Sequence, residues 1–118
     1  MYTFVKSLNI YENNTYIRFL GMEKQHYDVI NNLQRLQFQI HLSGEIAFLE
    51  YRLYEGAVVL MHTEVPEPLG GRGVGTALAA AAFDYAKKNQ LKVKVYCPFV
   101  KKYLDRHPEL APLVINPS

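Results

Sequence analysis

The sequence has one cysteine, Cys97, among 118 residues. A single cysteine excludes an internal disulfide and a cysteine-based zinc site, and it favours a reducing, cytoplasmic setting. No apolar run approaches the roughly 20 residues of a membrane span, and no secretory signal opens the sequence. The histidines show no metal-ligand spacing. We therefore expect a cytoplasmic protein that uses neither a membrane anchor nor a metal.

Net charge is also low, at +2, and gives no argument for a nucleic-acid partner by itself. The positive residues cluster late in the chain, opposed there only by Asp105: Lys87, Lys88, Lys92, Lys94, Lys101, Lys102 and Arg106. The segment does not show the pattern of stacking aromatic residues that is typical of a nucleic-acid platform. An ordinary solvated face is the commoner interpretation. The alternative is a positive field that assists a polyanionic ligand bound nearby.

A length of 118 residues allows one domain with its own core. Alternation of apolar and polar residues predicts strands over residues 36–42 and 47–53, and turn signals follow each of them. The next segment, Ala57 to Glu64, is apolar on both faces up to Met61, which predicts a central strand. Together these segments predict an antiparallel meander.

A glycine-rich stretch follows the third of these strands. Glycines at positions 71, 73 and 75 precede an alanine-rich segment, Ala77 to Lys88, that has helical spacing. Open N–H groups at the start of a helix, together with the helix dipole, make an anion site, and Arg72 adds a cation. The pattern matches neither the dinucleotide fingerprint nor the Walker loop. A tight turn that needs only the conformational freedom of glycine is the alternative.

The segments after the predicted helix and at the start of the sequence contain further short elements. Residues 91–96 read as a strand, and a helical crossover between strands of one sheet favours parallel pairing. A short helix is expected over residues 99–106 and an irregular tail after it. Short strands are expected at Val5–Tyr11 and Thr15–Leu20. The predicted fold class is therefore α/β (α+β): an antiparallel meander, then a strand–glycine loop–helix–strand unit and a short C-terminal helix.

Three features of the sequence resemble one family. They are His62-Thr63-Glu64-Val65-Pro66 leading into Arg72 to Leu78, then Leu91-Lys92-Val93, then Cys97 to Val100 with Arg106 to Glu109. In this order they resemble the compact single-domain branch of the GNAT superfamily of N-acetyltransferases, small acetyl-CoA-binding proteins with a cysteine ending the fifth strand. The resemblance covers residues 29–114. It leaves residues 1–28 as an N-terminal extension packed on the domain and residues 115–118 as a tail.

The resemblance implies a mixed sheet whose fourth and fifth strands splay apart around acetyl-CoA. It implies that Thr63 to Val65 pair with the pantetheine arm of coenzyme A. It also implies a pyrophosphate-binding loop made of Gly70, Gly71, Arg72, Gly73, Val74, Gly75 and Thr76. The partners it implies are acetyl-CoA and an amine acceptor, for a monomer or weak homodimer.

Two positions depart from the family pattern. The loop usually begins with Arg or Gln where this chain has Gly70, so one side-chain contact to the cofactor is lost. Larger members carry a tyrosine general acid in the last helix, at a position that aligns with Leu104. Tyr103 lies one residue earlier and points about 100° away around the helix. A tyrosine acid is therefore not expected.

Acyl transfer to an amine needs a proton acceptor and often a nucleophile. His62 and Glu64 are two residues apart on a strand and share a face, so either could accept a proton. Cys97 ends a strand just before a helix, where open N–H groups and lysines favour the thiolate that a covalent route needs. Each candidate also has a purely structural alternative. His62 would be a histidine of the core, Glu64 a carboxylate at the rim, and Cys97 a small buried hydrophobic residue.

The predicted function is an acetyl-CoA-dependent N-acetyltransferase that moves an acetyl group to an unidentified amine, through an acetyl-cysteine in the covalent version. The catalytic candidates are Cys97, His62 and Glu64. A coenzyme A-binding or interaction module with little turnover is the alternative from another class. Nucleic-acid binding through the lysines ranks last and would require a steep salt dependence.

Overall fold

A computed structural model describes residues 26–115 of the chain. The strands expected at Val5–Tyr11 and Thr15–Leu20 lie outside the described residues, as do residues 116–118.

The described residues form five strands, two α-helices and two short 3₁₀ helices. The strands are β1 (Ile30–Asn32), β2 (Gln37–Leu42), β3 (Glu45–Tyr54), β4 (Ala57–Glu64) and β5 (Lys92–Val95). The helices are α1 (Val74–Lys88) and α2 (Pro98–Asp105), and the 3₁₀ helices are Glu67–Leu69 and Pro108–Leu113. The described strands lie in one sheet in chain order, with β1 to β4 antiparallel and β5 parallel to β4. The predicted mixed sheet, with its meander and parallel crossover, is confirmed.

One face of the sheet, here called the helix face, carries the hydrophobic core. Its buried side chains are Phe38, Ile40, Ala47, Leu49, Tyr51, Val58, Leu60, Val93 and Val95. Helix α1 packs here because its alanines allow a close approach, while Leu78 and Phe83 fill the remaining space. Helix α2 joins the same core, with the Tyr103 ring stacked 6.0 Å from that of Phe83. Burial of each large apolar side chain contributes about 1.5–3 kcal/mol, which is why the alternating pattern fixes this face.

A β-bulge interrupts β4 halfway along. Tyr51 of β3 pairs with Leu60, but the preceding residue, Glu50, pairs with His62. Met61 is therefore an extra residue on β4, and the side-chain alternation shifts by one beyond it. Thr63 consequently pairs with Leu49, on the helix face, whereas residues 62 and 64 point to the other face.

Two segments differ from the sequence-based expectation. Helix α1 begins at Val74, three residues before the predicted start, because Gly73 takes a left-handed conformation that lets the helix begin directly after it. The tail is not irregular throughout: Pro108–Leu113 form a 3₁₀ helix, and the Ile115 N–H donates a 2.9 Å bond to the Val93 carbonyl. Leu110 is buried, so the core extends into this segment.

Candidate active site

The candidate site is the place where β4 and β5 separate. The carbonyl of Leu60 accepts the N–H groups of Tyr96 at 2.9 Å and Cys97 at 3.2 Å. Those are the last bonds between the strands, because Pro98 then begins α2 while β4 continues to Glu64. The β5-facing edge of residues 61–64 consequently has no strand partner within the described chain. The splay that the family resemblance implies is present, and it begins at the bulge.

Cys97 lies at the apex of this gap. Its side chain is buried, with 2% of the residue exposed, and its Sγ lies 3.1 Å from the hydroxyl Oγ1 of Thr63. The alternative of a small buried cysteine is right about burial. The polar contact adds what that alternative lacks, because it fixes the direction of the sulfur toward Thr63, in the part of β4 that lies beyond its pairing with β5.

His62 and Glu64 meet as the sequence predicted, since their side chains share a face and His62 Nε2 lies 2.7 Å from a Glu64 carboxylate oxygen. Their side chains are 57% and 58% exposed, so the alternative of a core histidine is wrong. The face they share is opposite to the helix face. Cys97 contacts Thr63 instead, so the three catalytic candidates are divided between the two sides of β4.

The glycine loop has the geometry of an anion cradle. Gly71 and Gly73 have φ angles of +74° and +78°, a left-handed conformation in which any side chain would be strained. Among residues 26–115 no side chain caps α1, so its first N–H groups are open to a ligand there. The hydroxyl of Tyr27 donates a 2.6 Å bond to the Arg72 carbonyl and tethers the loop. Sequence reasoning missed this contact, because nothing local links residues 45 positions apart.

Gly75 packs closely against a side chain of α2. A Cβ placed there would lie 2.7 Å from Cζ of Phe99, because that ring rests against the first turn of α1. The ring therefore connects the glycine loop to α2, two residues after Cys97. Gly70 is different: its backbone is extended, and a Cβ would approach only the Glu67 carbonyl, at 3.3 Å. Neither φ nor core packing demands glycine at position 70.

Part of the basic cluster is remote from this loop. Lys87 and Lys88 lie at the C-terminal end of the 15-residue helix α1, about 20 Å along its axis from the glycines. Lys88 pairs with Asp84 at 3.2 Å, and Lys92 donates to the Pro112 carbonyl at 3.1 Å. The idea that the whole cluster serves a ligand on the loop does not fit this placement, whereas Arg72 belongs to the loop itself.

Tyr103 is part of the core. Its ring stacks 4.2 Å from that of His107, and burial, with a smaller contribution from the Glu109 charge, raises the pKa of its phenol. Its ring is thus packed against Phe83 and His107 in the core. Within residues 26–115, no three potential metal ligands come together, and no helix is long and apolar enough to cross a membrane.

Comparison with known proteins gives consistent matches. A family model described as GCN5-related N-acetyl-transferase matches residues 37–113, more than half of the chain. Protein NATD1 from Mus musculus is 37% identical over 83 residues, which cover 68% of this chain and 76% of that protein. NATD1 from Homo sapiens is 36% identical over 83 residues, covering 68% and 74%. The NMR solution structure of a GCN5-like protein from Staphylococcus aureus aligns with a TM-score of 0.61 at 25% identity, covering 78% of this chain and 91% of that one.

Proposed function

The chain belongs to the GCN5-related N-acetyltransferase family, and from that premise we propose that it transfers the acetyl group of acetyl-CoA to an amine through Cys97. The observation that carries the proposal is the placement of the Cys97 sulfur. It lies at the point where β4 and β5 separate, and Thr63 holds it there through a 3.1 Å contact. Acetyl-CoA occupies this gap in proteins of the GNAT superfamily.

The described residues fit that substrate. The open N–H groups at the start of α1 and the left-handed glycines before it leave room for a pyrophosphate, and Arg72 supplies a positive charge. Thr63 and Glu64 at the end of β4, with Val65 after them, have no partner from β5 among the described residues, so their backbone groups can bind the amides of the pantetheine arm. Both features lead toward Cys97, so the thioester would lie near its sulfur.

The first half-reaction uses the helix side of the gap. The thiolate of Cys97 attacks the thioester carbonyl carbon, a new C–S bond forms, and the old one breaks. Coenzyme A leaves as a thiolate and takes up the proton that Cys97 gave up, so charge and atoms balance. The result is an S-acetyl group on Cys97.

The second half-reaction uses the opposite face. An amine attacks the acetyl carbon, its nitrogen loses a proton, and the C–S bond to Cys97 breaks. The exposed His62–Glu64 pair stands on that face, where the imidazole can accept the proton and the carboxylate can stabilise the resulting cation. Because the pair lies across β4 from the Cys97 sulfur, the proton would reach the imidazole through water and not by direct contact.

Direct attack of the amine on acetyl-CoA is the competing route, and the His62–Glu64 contact would serve it equally well. A coenzyme A-binding module without turnover is the competing function, favoured by the packing of Tyr103 in the core. The location of the protein in the cytoplasm stays a prediction, and a reduced Cys97 requires such a setting.

Mass spectrometry distinguishes these routes. Incubation with acetyl-CoA alone should add one acetyl mass to the peptide containing Cys97, and Cys97→Ala should lose both the adduct and most turnover with an amine panel. Cys97→Ser should also lose most turnover, because Thr63, the side chain that contacts this position, is not a base that could activate the new hydroxyl. Full turnover in Cys97→Ala would establish direct transfer. Tight coenzyme A binding without acetyl transfer to any amine would support the binding module.

Cofactor placement can be tested with a matched pair of glycines. Gly73 and Gly56 have φ angles of +78° and +77°, and a Cβ at either would meet nothing within 4 Å, so valine imposes similar backbone strain at both. Gly56 lies in the β3–β4 turn, at the opposite end of β4 from the glycine loop. Gly73→Val should weaken coenzyme A binding about tenfold or more, roughly 1.4 kcal/mol, in calorimetry. Equal affinities for the two variants would contradict the assigned loop.

A further inference from the structure

Thr63 reaches the candidate site only because of the bulge at Met61. Without that extra residue, the alternation that buries Val58 and Leu60 would place residue 62 on the helix face. With it, Thr63 takes that side and its Oγ1 lies 3.1 Å from the Cys97 sulfur. The bulge thus places a hydroxyl, and not an imidazole or a carboxylate, beside the only thiol in the chain.

A hydroxyl has properties that suit this position. It can accept a hydrogen bond from a thiol and, after rotation about its C–O bond, donate one to a thiolate. It carries no charge of its own in either case, so it does not repel a thiolate as a carboxylate would. Hydrogen bonds to a charged partner are the stronger kind, and they stabilise the charged form.

We propose that the side chain of Thr63 is a positioning residue that holds the sulfur of Cys97 and stabilises its thiolate for attack. This inference rests on the proposed function, because it concerns the thiol that forms the acetyl intermediate. It goes beyond the role of Thr63 in pairing with pantetheine, since that role belongs to the backbone. The two roles concern different atoms: the backbone of Thr63 would bind pantetheine, whereas its hydroxyl contacts the sulfur, so loss of the hydroxyl should lower the reactivity of the thiol.

The test compares Thr63→Val, which is close in shape and lacks the hydroxyl, with Thr63→Ser, which keeps it. Because the chain has a single cysteine, alkylation by iodoacetamide reports on Cys97 alone. We measure its rate from pH 6 to pH 10 in each folded protein, with coenzyme A affinity by calorimetry and stability by urea unfolding. We expect Thr63→Val to react about tenfold more slowly at pH 7 and to approach the wild-type rate at high pH. Thr63→Ser should stay near the wild type in alkylation at every pH.

Three results would overturn the inference. Equal alkylation rates at pH 7 in wild type and Thr63→Val would show that the hydroxyl does not affect the thiol. A uniform change at every pH that serine fails to rescue would indicate altered access alone. A wild-type thiol that stays unmodified while the urea-unfolded chain reacts fully would show that the sulfur is not available. Failure of the proposed function is separate: acetyl-CoA would then leave no adduct on wild-type Cys97, whatever the alkylation profile of Thr63→Val.

Discussion

Replacing Gly75 with alanine tests the contact that joins the glycine loop to α2. A Cβ at this position would lie 2.7 Å from Cζ and 3.0 Å from Cε2 of Phe99, closer than carbon atoms approach without displacement. Phe99 is 37% exposed, so its ring can turn outward into solvent. We therefore expect the variant to fold with a displaced ring, at a cost in stability.

Two opposing effects set the size of that cost. Alanine is a better helix former than glycine by up to about 1 kcal/mol. Overpacking against a ring typically costs about 1–3 kcal/mol. The net expectation is that Gly75→Ala lowers the free energy of unfolding by up to about 2 kcal/mol. In a Phe99→Ala background the obstruction is gone, so the same Gly75→Ala change should instead raise stability, by up to about 1 kcal/mol.

A double-mutant cycle in urea denaturation measures this reversal of sign. The coupling between positions 75 and 99 should be about 1–3 kcal/mol, well above the error of the method. Gly75→Ala having the same effect in both backgrounds would show that the ring does not rest on the helix start. Calorimetry with coenzyme A adds a second measurement, because a ring turned outward should alter affinity at a loop whose other glycines are unchanged.

Two other predictions concern Tyr103, to which we assign no catalytic role, and Arg72, to which we assign only a role in binding. Tyr103→Phe should keep full acetyl transfer. Burial and the Glu109 charge raise the pKa of the Tyr103 phenol above its ordinary value of 10.0, so the unfolded chain loses this proton at a lower pH than the folded protein does. The free energy of unfolding of the wild type should therefore fall as the pH rises past that value. Urea unfolding at pH 8 and pH 11 should show a smaller fall in Tyr103→Phe. Arg72→Ala should weaken coenzyme A binding several-fold and reduce its salt dependence, whereas Lys88→Ala should change neither in calorimetry at low and high salt. An equal loss of coenzyme A affinity in Lys88→Ala would contradict the placement of the ligand on the glycine loop.

Much of the fold could be predicted because it follows from local patterns. The alternation of Phe38 and Ile40 with polar neighbours, and of Ala47 and Leu49 with theirs, indicates strands with one buried face. A helix between two strands then favours a parallel pair, and β5 does lie parallel to β4. The glycines likewise predicted the open N–H groups at the start of α1. Each of these inferences needs only residues close in sequence.

The features that could not be predicted depend on a single extra residue or on distant contacts. A bulge is invisible to periodicity, yet the one at Met61 decides that Thr63 and not His62 faces Cys97. Gly75 packs against the ring of Phe99, which lies 24 positions later in the sequence. The basic cluster looked continuous along the chain, but the length of α1 carries Lys87 away from the loop. Sequence neighbours are not spatial neighbours once a helix intervenes.

The division of the site across β4 leads to a last prediction, on the order of events. Cys97 and Thr63 serve the helix side, and the His62–Glu64 pair stands on the opposite face, more than half exposed. His62→Ala and Glu64→Gln should therefore form the acetyl adduct on Cys97 at nearly the wild-type rate, because neither side chain contacts the sulfur. Removal of that adduct by an amine should slow by about 10²- to 10⁴-fold, the usual contribution of general acid–base catalysis.

Rapid-quench mass spectrometry separates the two half-reactions in one experiment. The expected pattern is a full burst of coenzyme A release, equal to the amount of protein, followed by a slow steady state in both variants. Raising the pH should partly restore the second step, because more of the amine is then neutral without help from a base. If the burst itself were lost in His62→Ala, the imidazole would act on the thiol side, and the two-sided arrangement proposed for this site would be wrong.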